Sequence, residues 1–200
     1  MSGSGQSRIE RRARARDSAR AGILEAARRV AAREGARNLS LRSVAAEAGF
    51  APAALYGYFH NKDDLLIALA AEDLGALARA MRTAATAPSP DGGFSAVIAT
   101  ALSRLESMET MAAASAALSD ARGATAPERY FNGRLIAALK ALSDASGARE
   151  QSRQSQNDVL LMAAALTGLA VLGRSGRLAA LGFAPQELLQ RLDKRFSRPV

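Results

Sequence analysis

Residues 40–62 read SLRSVAAEAGFAPAALYGYFHNK, and this stretch decides the fold. Ser40 is a natural N-cap, and the apolar residues after it recur every three or four positions, which predicts one buried helical face. Gly49 stands where that helix must end, because glycine adopts a positive φ without steric penalty. Pro52 suits the first turn of a second helix, where its missing N–H would be unpaired anyway. Two short helices joined by a tight turn are typical of a helix-turn-helix, whose second helix enters the DNA major groove.

The flanking sequence predicts further helices on both sides of this motif. A first helix is expected from about Ser18 to Glu34, with Gly35 as its stop. Asn61 caps a fourth helix, which runs to the proline- and glycine-rich break at residues 88–93. Helical segments follow at about residues 94–107, 109–120, 127–143, 154–173 and 185–196, with breaks at Gly123, Ser146-Gly147 and residues 173–182. No strand pattern is found, so the sequence predicts an all-α chain.

The composition favours helices and limits the available chemistry. Hydrophobic residues make up 48% of the chain, which contains no cysteine and one histidine. A disulfide framework and a thiolate metal site are therefore excluded, and little material is left for acid–base or nucleophilic catalysis. We expect no enzyme activity, no metal site and no cofactor. His60 follows Phe59 at a helix boundary and is interpreted as a surface residue or a neighbour of phosphate.

The sequence also bears on localisation. The N-terminus is polar and lacks the apolar core of a signal peptide. The longest apolar run, residues 159–172, is interpreted as too short to span a bilayer and as part of a buried helix. We therefore expect a cytoplasmic protein with no membrane partner.

Most of the positive charge lies near the N-terminus. Through Lys62 the chain has twelve Lys and Arg against five Asp and Glu, so nearly all of the net charge of +8 falls in the first third. Six arginines precede or begin the first predicted helix: Arg8, Arg11, Arg12, Arg14, Arg16 and Arg20. Such a stretch is often a solvated, disordered tail, but next to a helix-turn-helix it predicts a phosphate-binding or minor-groove arm. A membrane-surface role is disfavoured, because Ile9 is the only large apolar residue among these arginines.

The helix-turn-helix and its flanks resemble the DNA-binding domain of the tetracycline-repressor (TetR) family of transcriptional regulators over about residues 19–70. The resemblance rests on residues 23–27, Gly35 and residues 40–45, 48–50, 55–59 and 61–65. It implies a disordered basic arm at 1–17, a DNA-binding domain at 18–66 and a helical ligand-binding and dimerisation domain at 67–200. The implied function is that of a homodimeric repressor, which binds a pseudo-palindromic operator in double-stranded DNA and is released by a small molecule.

The resemblance also implies roles for single residues. Tyr56 and Lys62 are expected to contact phosphates and Arg42 a base, and the residue types agree, because arginine can bind guanine bidentately. Gly57 is expected to weaken the recognition helix by roughly 0.5–1 kcal/mol relative to alanine. The predicted DNA-binding residues are Ser40, Arg42, Ser43, Pro52, Ala53, Ala54, Tyr56, Gly57, Tyr58 and Lys62. Two alternatives stay open: Arg42 is an ordinary exposed arginine, or Tyr56 is partly buried, without a role in DNA binding.

The C-terminal part is expected to supply dimerisation and a ligand pocket. Helices 127–143 and 154–173 are predicted to form an isologous four-helix interface between two subunits. The expected ligand-binding residues are Met81, Phe94, Arg104, Met108 and Met111. The alternative for each of these residues is that it only fills the core or the surface.

The recognition helix leaves a second function open. Ala51, Pro52, Ala53 and Ala54 offer no side-chain hydrogen bonds. Thymine-methyl contacts and DNA shape are therefore expected to add to the reading of sequence. The alternative function is a weakly sequence-specific, ligand-independent architectural DNA-binding protein.

Overall fold

The computed structural model describes residues 3–88, 93–108, 110–118, 125–147 and 152–197. These ranges contain helices and no strand, which confirms the all-α prediction. The helices are α1 (Gly3–Glu34), α2 (Leu41–Ala48), α3 (Pro52–Leu55), α4 (Lys62–Thr86), α5 (Gly93–Ser107), α6 (Met111–Ala117), α7 (Ala126–Ala145), α8 (Arg153–Arg174), α9 (Arg177–Ala180) and α10 (Pro185–Phe196). Of the predicted breaks, residues 89–92 and Gly123 lie outside the described residues.

The first helix is much longer than expected. α1 begins at Gly3 rather than near Ser18, so the expectation of a disordered arm over residues 1–17 is wrong from Gly3 onward. From Gln6 to Arg16 the sequence is dominated by Arg, Ala, Glu and Gln, which are good helix formers. Extending a helix that is already nucleated costs little, because each added residue gains one hydrogen bond. Met1 and Ser2 lie outside the described residues.

The helix-turn-helix has the predicted first helix and turn but a shorter second helix. α2 begins after Ser40 and ends at Gly49, whose φ of 71° is left-handed. α3 is a single turn that ends at Leu55, with Pro52 in its first position. Gly57 lies in the turn that follows, so the predicted cost of a glycine inside the recognition helix does not apply.

The chain divides into two compact units, the first of which contains Met1–Ala70 and Glu109–Glu128. Its core is built from the apolar faces of α1, α2 and the start of α4, together with Leu55 and Phe59. Leu55 is fully buried and Phe59 nearly so, so both side chains point inward. The expected domain border at residue 66 thus falls at Ala70, and the segment with α6 joins the first unit.

The second unit contains Ala71–Met108 and Arg129–Val200. α5 packs against α8, and α10 packs against both. The buried apolar face of α4 continues here as Leu74, Leu77 and Met81. The predicted break at residues 173–182 contains the one-turn helix α9, which is too short for periodicity to reveal.

α8 leaves part of its apolar surface uncovered. Leu160, Leu161 and Val171 are each more than half exposed. α8 is long and apolar enough to cross a membrane, but the core helices of soluble proteins meet the same criterion. The prediction that this segment is too short considered only the apolar run and not the whole 22-residue helix.

Candidate nucleic-acid interface

The N-terminus of α2 is held by a reciprocal serine cap. The backbone N–H of Ser43 donates to Ser40 Oγ over 3.0 Å, and the N–H of Ser40 donates to Ser43 Oγ over 3.1 Å. The positive end of the α2 dipole lies here, where it favours anions. Arg42 is exposed beside this cap, and its guanidinium has no hydrogen-bond or ion-pair partner among the described residues. The serines thus use part of their hydrogen-bonding capacity locally, while Arg42 is available to a ligand.

The recognition element consists of α3 and the turn after it. Pro52, Ala53 and Ala54 are exposed and offer only apolar surface. Tyr56 is 57% exposed. Tyr58 is half-buried and meets the Phe50 ring edge-on, with 6.3 Å between ring centroids and an interplanar angle of 75°. Of the two predicted tyrosine contacts, only Tyr56 projects freely into solvent.

Two arginines of α1 contact the recognition element, a role that the sequence interpretation missed. Arg16 Nη2 donates to the carbonyl oxygen of Gly57 over 2.8 Å, and its guanidinium lies 5.5 Å from the Tyr58 ring centroid. The Arg20 guanidinium lies 5.4 Å from the centroid of the Phe59 ring. The available signal was the spacing of Arg16, Arg20 and Ile23, which places the arginines on the buried stripe of α1.

α1 and α2 are also joined by exposed ion pairs. Arg29 Nε lies 2.7 Å from Glu47 Oε1, and Arg33 Nη1 lies 3.1 Å from Glu47 Oε2. Hydrogen bonds from Arg29 and then from Arg33 lower the pKa of Glu47 below its ordinary value. Because the two arginines are exposed and Glu47 is only half-buried, the pairs contribute little to stability and mainly orient α2 against α1.

The start of α4 is capped as predicted. The N–H of Asp64 donates to Asn61 Oδ1 over 2.7 Å, and the N–H of His60 donates to Asp64 Oδ2 over 3.2 Å. Lys62 Nζ donates to the carbonyl oxygen of Arg37 in the loop before α2. An ammonium group has three donors, so this contact orients Lys62 and leaves donors for an anion.

The structure does not gather the five expected ligand-binding residues into one unit. Met81, Phe94 and Met108 are buried in the second unit, where Arg104 is exposed on α5. Met111 is half-buried on α6 in the first unit.

Two other features of the second unit were not predicted. Tyr130 Oη donates to Glu72 Oε1 over 2.7 Å, and Arg134 Nη2 donates to Tyr130 Oη over 2.6 Å, which raises the pKa of Arg134. A separate groove of about 720 Å³ lies between α8 and α10. Its apolar lining includes Leu169, Leu188 and Phe196, with basic side chains beside them. None of the five expected residues lines this groove.

Comparisons with known proteins agree with the geometry. Residues 23–69 match the family model of bacterial regulatory proteins, tetR family. No curated protein sequence matches the chain significantly.

Solved structures share the fold over nearly the whole chain. A TetR transcriptional regulator from Rhodococcus sp. RHA1 has 20% sequence identity and a TM-score of 0.68, and the match covers 90% of this chain and 97% of that chain. A TetR-family transcriptional regulator from Streptomyces coelicolor has 20% identity and a TM-score of 0.62, with 89% and 99% covered. The regulator FadR from Bacillus subtilis, solved in complex with stearoyl-CoA, has 19% identity and a TM-score of 0.59, with 90% and 98% covered.

Proposed function

The chain carries a DNA-binding domain of the tetR family at residues 23–69, and from this premise we propose that it is a ligand-responsive repressor that binds DNA as a homodimer. The observation that carries the proposal is the helix-turn-helix itself. Its apolar residues, including Leu55 of α3, are buried in the first unit, while Arg42, Pro52, Ala53, Ala54 and Tyr56 are exposed. This surface is accessible to an external partner, and the basic N-terminal third suits the phosphates of DNA.

The exposed residues divide into those that position the protein and those that read sequence. Tyr56 and Lys62 are suited to phosphate oxygens, and Ser40 and Ser43 lie at a helix N-terminus that favours the same anions. Arg42 is the candidate reader of guanine. The α3 residues Pro52, Ala53 and Ala54, with Gly57 after them, allow close approach to thymine methyl groups. Tyr58 is assigned a supporting role, because Arg16 and Phe50 hold its ring.

The helical start of α1 extends the proposed DNA contact. An α-helix with its side chains is about 10–12 Å across, whereas the minor groove of B-DNA is about 6 Å wide. Arg8 and Arg12, which lie on the same side of α1 as Arg16, therefore favour phosphates over the floor of the minor groove. This supports the phosphate-binding role over the minor-groove role, both of which the sequence left open for the basic segment.

A second copy of the chain is proposed to cover the exposed apolar residues of α7 and α8. Ile136 is 65% exposed and Leu161 is 60% exposed. A two-fold interface would bury them and would supply the second helix-turn-helix that a palindromic site requires. Light scattering should give twice the chain mass of 20.9 kDa, and Leu161→Glu should lower it, unlike the control Gln190→Glu at an exposed position of α10. A monomeric wild-type protein, or one that binds lipid vesicles, would contradict this assignment.

The ligand is proposed to be an apolar or amphipathic small molecule that binds in the second unit. FadR, which shares the fold, was solved with stearoyl-CoA. Met81, Phe94 and Met108 are retained as candidate contacts, because they are apolar, buried and in one unit. Arg104 is a weaker candidate because it is exposed, and Met111 because it belongs to the other unit. Thermal-shift measurements with acyl-CoAs of increasing chain length test this ligand class, with free CoA as the control.

Helix α4 is the proposed link between ligand and DNA. It begins at Lys62 and continues past Met81, so one continuous helix contributes to both units. A ligand that displaces α4 would change the separation of the two helix-turn-helix motifs of a dimer, which must enter successive major grooves about 34–36 Å apart. Operator DNA must then weaken the ligand by the factor by which the ligand weakens DNA. Calorimetry with and without operator tests this reciprocity, and equal ligand affinities would exclude the switch.

One observation favours the second candidate function, an architectural DNA-binding protein that needs no ligand. α3 is only four residues long, and its exposed side chains offer no hydrogen bonds. Selection of bound sequences from random oligonucleotides separates the two functions. A repressor should yield a pseudo-palindromic consensus, whereas an architectural protein should yield none, or only a preference for flexible or A·T-rich DNA.

A further inference from the structure

We propose that Arg16 is a positioning residue for the recognition element, through which the N-terminal helix controls how DNA sequence is read. This inference rests on the proposed DNA-binding function and assigns to α1 a part in specificity. It follows from the contacts that Arg16 makes with the turn after α3.

The recognition element has little internal support. α3 has four residues, and no side chain caps its N-terminus at Ala51. In the following turn the N–H of Gly57 donates to Ala54 over 3.2 Å, and those of Tyr58 and Phe59 donate to the Leu55 carbonyl over 2.8 and 2.9 Å. A single turn satisfies few of its own backbone groups, so its geometry depends on contacts from elsewhere.

Arg16 supplies such a contact from 41 residues earlier in the chain. Its guanidinium donates to the carbonyl oxygen of Gly57 and also lies over the Tyr58 ring. A planar guanidinium can donate in its plane while its face stacks on a ring, which a lysine ammonium cannot reproduce. The positive charge also lies at the C-terminal end of α3, where the helix dipole favours it. Arg16 therefore contacts both the Gly57 backbone and the Tyr58 side chain.

This contact has a consequence for the exposed reading residues. Gly57 lies two residues after α3, whose exposed Pro52, Ala53 and Ala54 are the proposed contacts with base methyl groups. When the Gly57 carbonyl loses its partner, the turn gains freedom and α3 loses its fixed placement. Correct DNA sequences then lose their advantage over incorrect ones, because a reading group that is not preorganised pays an ordering cost on binding.

The first experiment measures the turn without DNA. Arg16→Ala is compared with Arg14→Ala, which removes the same charge about 160° further around the helix. Amide hydrogen exchange at residues 57–59 should become about tenfold faster in Arg16→Ala and stay unchanged in Arg14→Ala. Arg16→Lys should lie between wild type and Arg16→Ala. Denaturant unfolding confirms that each variant is folded. Equal exchange rates in the two alanine variants would overturn the proposal.

The second experiment measures the ratio of affinities for the selected operator and for random DNA at one salt concentration. Arg16→Ala should lower this ratio about tenfold, whereas Arg14→Ala should leave the ratio unchanged, because any small electrostatic loss is the same for both DNAs. The same ratio in both variants would refute the role in specificity. If the wild-type protein selects no preferred sequence, the proposed repressor function is wrong, and the exchange experiment still decides whether Arg16 holds the turn.

Discussion

The helical form of the N-terminal segment predicts which of its arginines contact DNA. At about 100° per residue, Arg12 and Arg8 lie about 40° and 80° around the helix from Arg16, whereas Arg11 and Arg14 lie about 140° and 160° away. Arg16 faces the recognition element. Arg8 and Arg12 therefore point to the side of the proposed DNA contact, and Arg11 and Arg14 point away from it.

This division gives two variants with equal loss of charge. Arg8→Gln with Arg12→Gln should flatten the dependence of log K on log salt by about 1.8 per protomer and about 3.6 per DNA-bound dimer, because each phosphate contact contributes about 0.9. Arg11→Gln with Arg14→Gln should change the slope much less. Glutamine is chosen because its helix propensity is close to that of arginine. Arg16 stays intact in both variants, whereas deletion of residues 1–16 would also remove the contact of Arg16 with the recognition element.

Fluorescence anisotropy with labelled operator, repeated over a range of salt concentrations, measures both slopes. Circular dichroism shows whether each variant keeps the wild-type helix content. Equal flattening of the slope by both variants would refute the prediction, because the segment would then attract DNA without a preferred orientation. An unchanged slope in both variants would also refute it, because the N-terminal part of α1 would then lie away from DNA.

Three further predictions concern other parts of the first unit. Gly49→Ala should destabilise the protein by about 1–2 kcal/mol in denaturant unfolding, because Gly49 has a left-handed backbone conformation. No atom lies within contact distance of the added Cβ, so backbone strain is the whole cost. An unchanged unfolding midpoint would contradict this. The pKa of Glu47 is lowered in the folded state, so the stability gained from its ion pairs should be present near neutral pH and lost as the pH falls through the folded pKa. The difference in unfolding free energy between wild type and Glu47→Gln should therefore shrink on acidification. A difference that does not change with pH would count against the ion pairs. Arg42→Ala should cost about 1–3 kcal/mol on the selected operator and relax one base position, whereas Lys62→Ala should weaken binding to all sequences alike; oligonucleotide selection that returns the wild-type consensus for Arg42→Ala would exclude Arg42 as a reader.

The sequence alone determined the elements whose signals are local. Ser40, Gly49 and Pro52 mark the ends of α2 and the start of α3. Asn61 marks the start of α4, and the 3.6-residue period shows which faces are buried. Caps, glycine conformations and periodicity involve residues within a few positions of each other, so they can be read without knowing the fold.

Tertiary structure decided the details of the candidate interface. α3 ends at Leu55, and the Gly57 carbonyl after it is held by Arg16. Tyr58 is half-buried rather than fully exposed, and Lys62 is oriented by the carbonyl of Arg37. Each of these facts depends on a partner distant in the chain, and a distant partner is fixed only when α1, the loop before α2 and the recognition element pack together. Local propensity carries no information about such a contact, because its energy is gained only in the folded state.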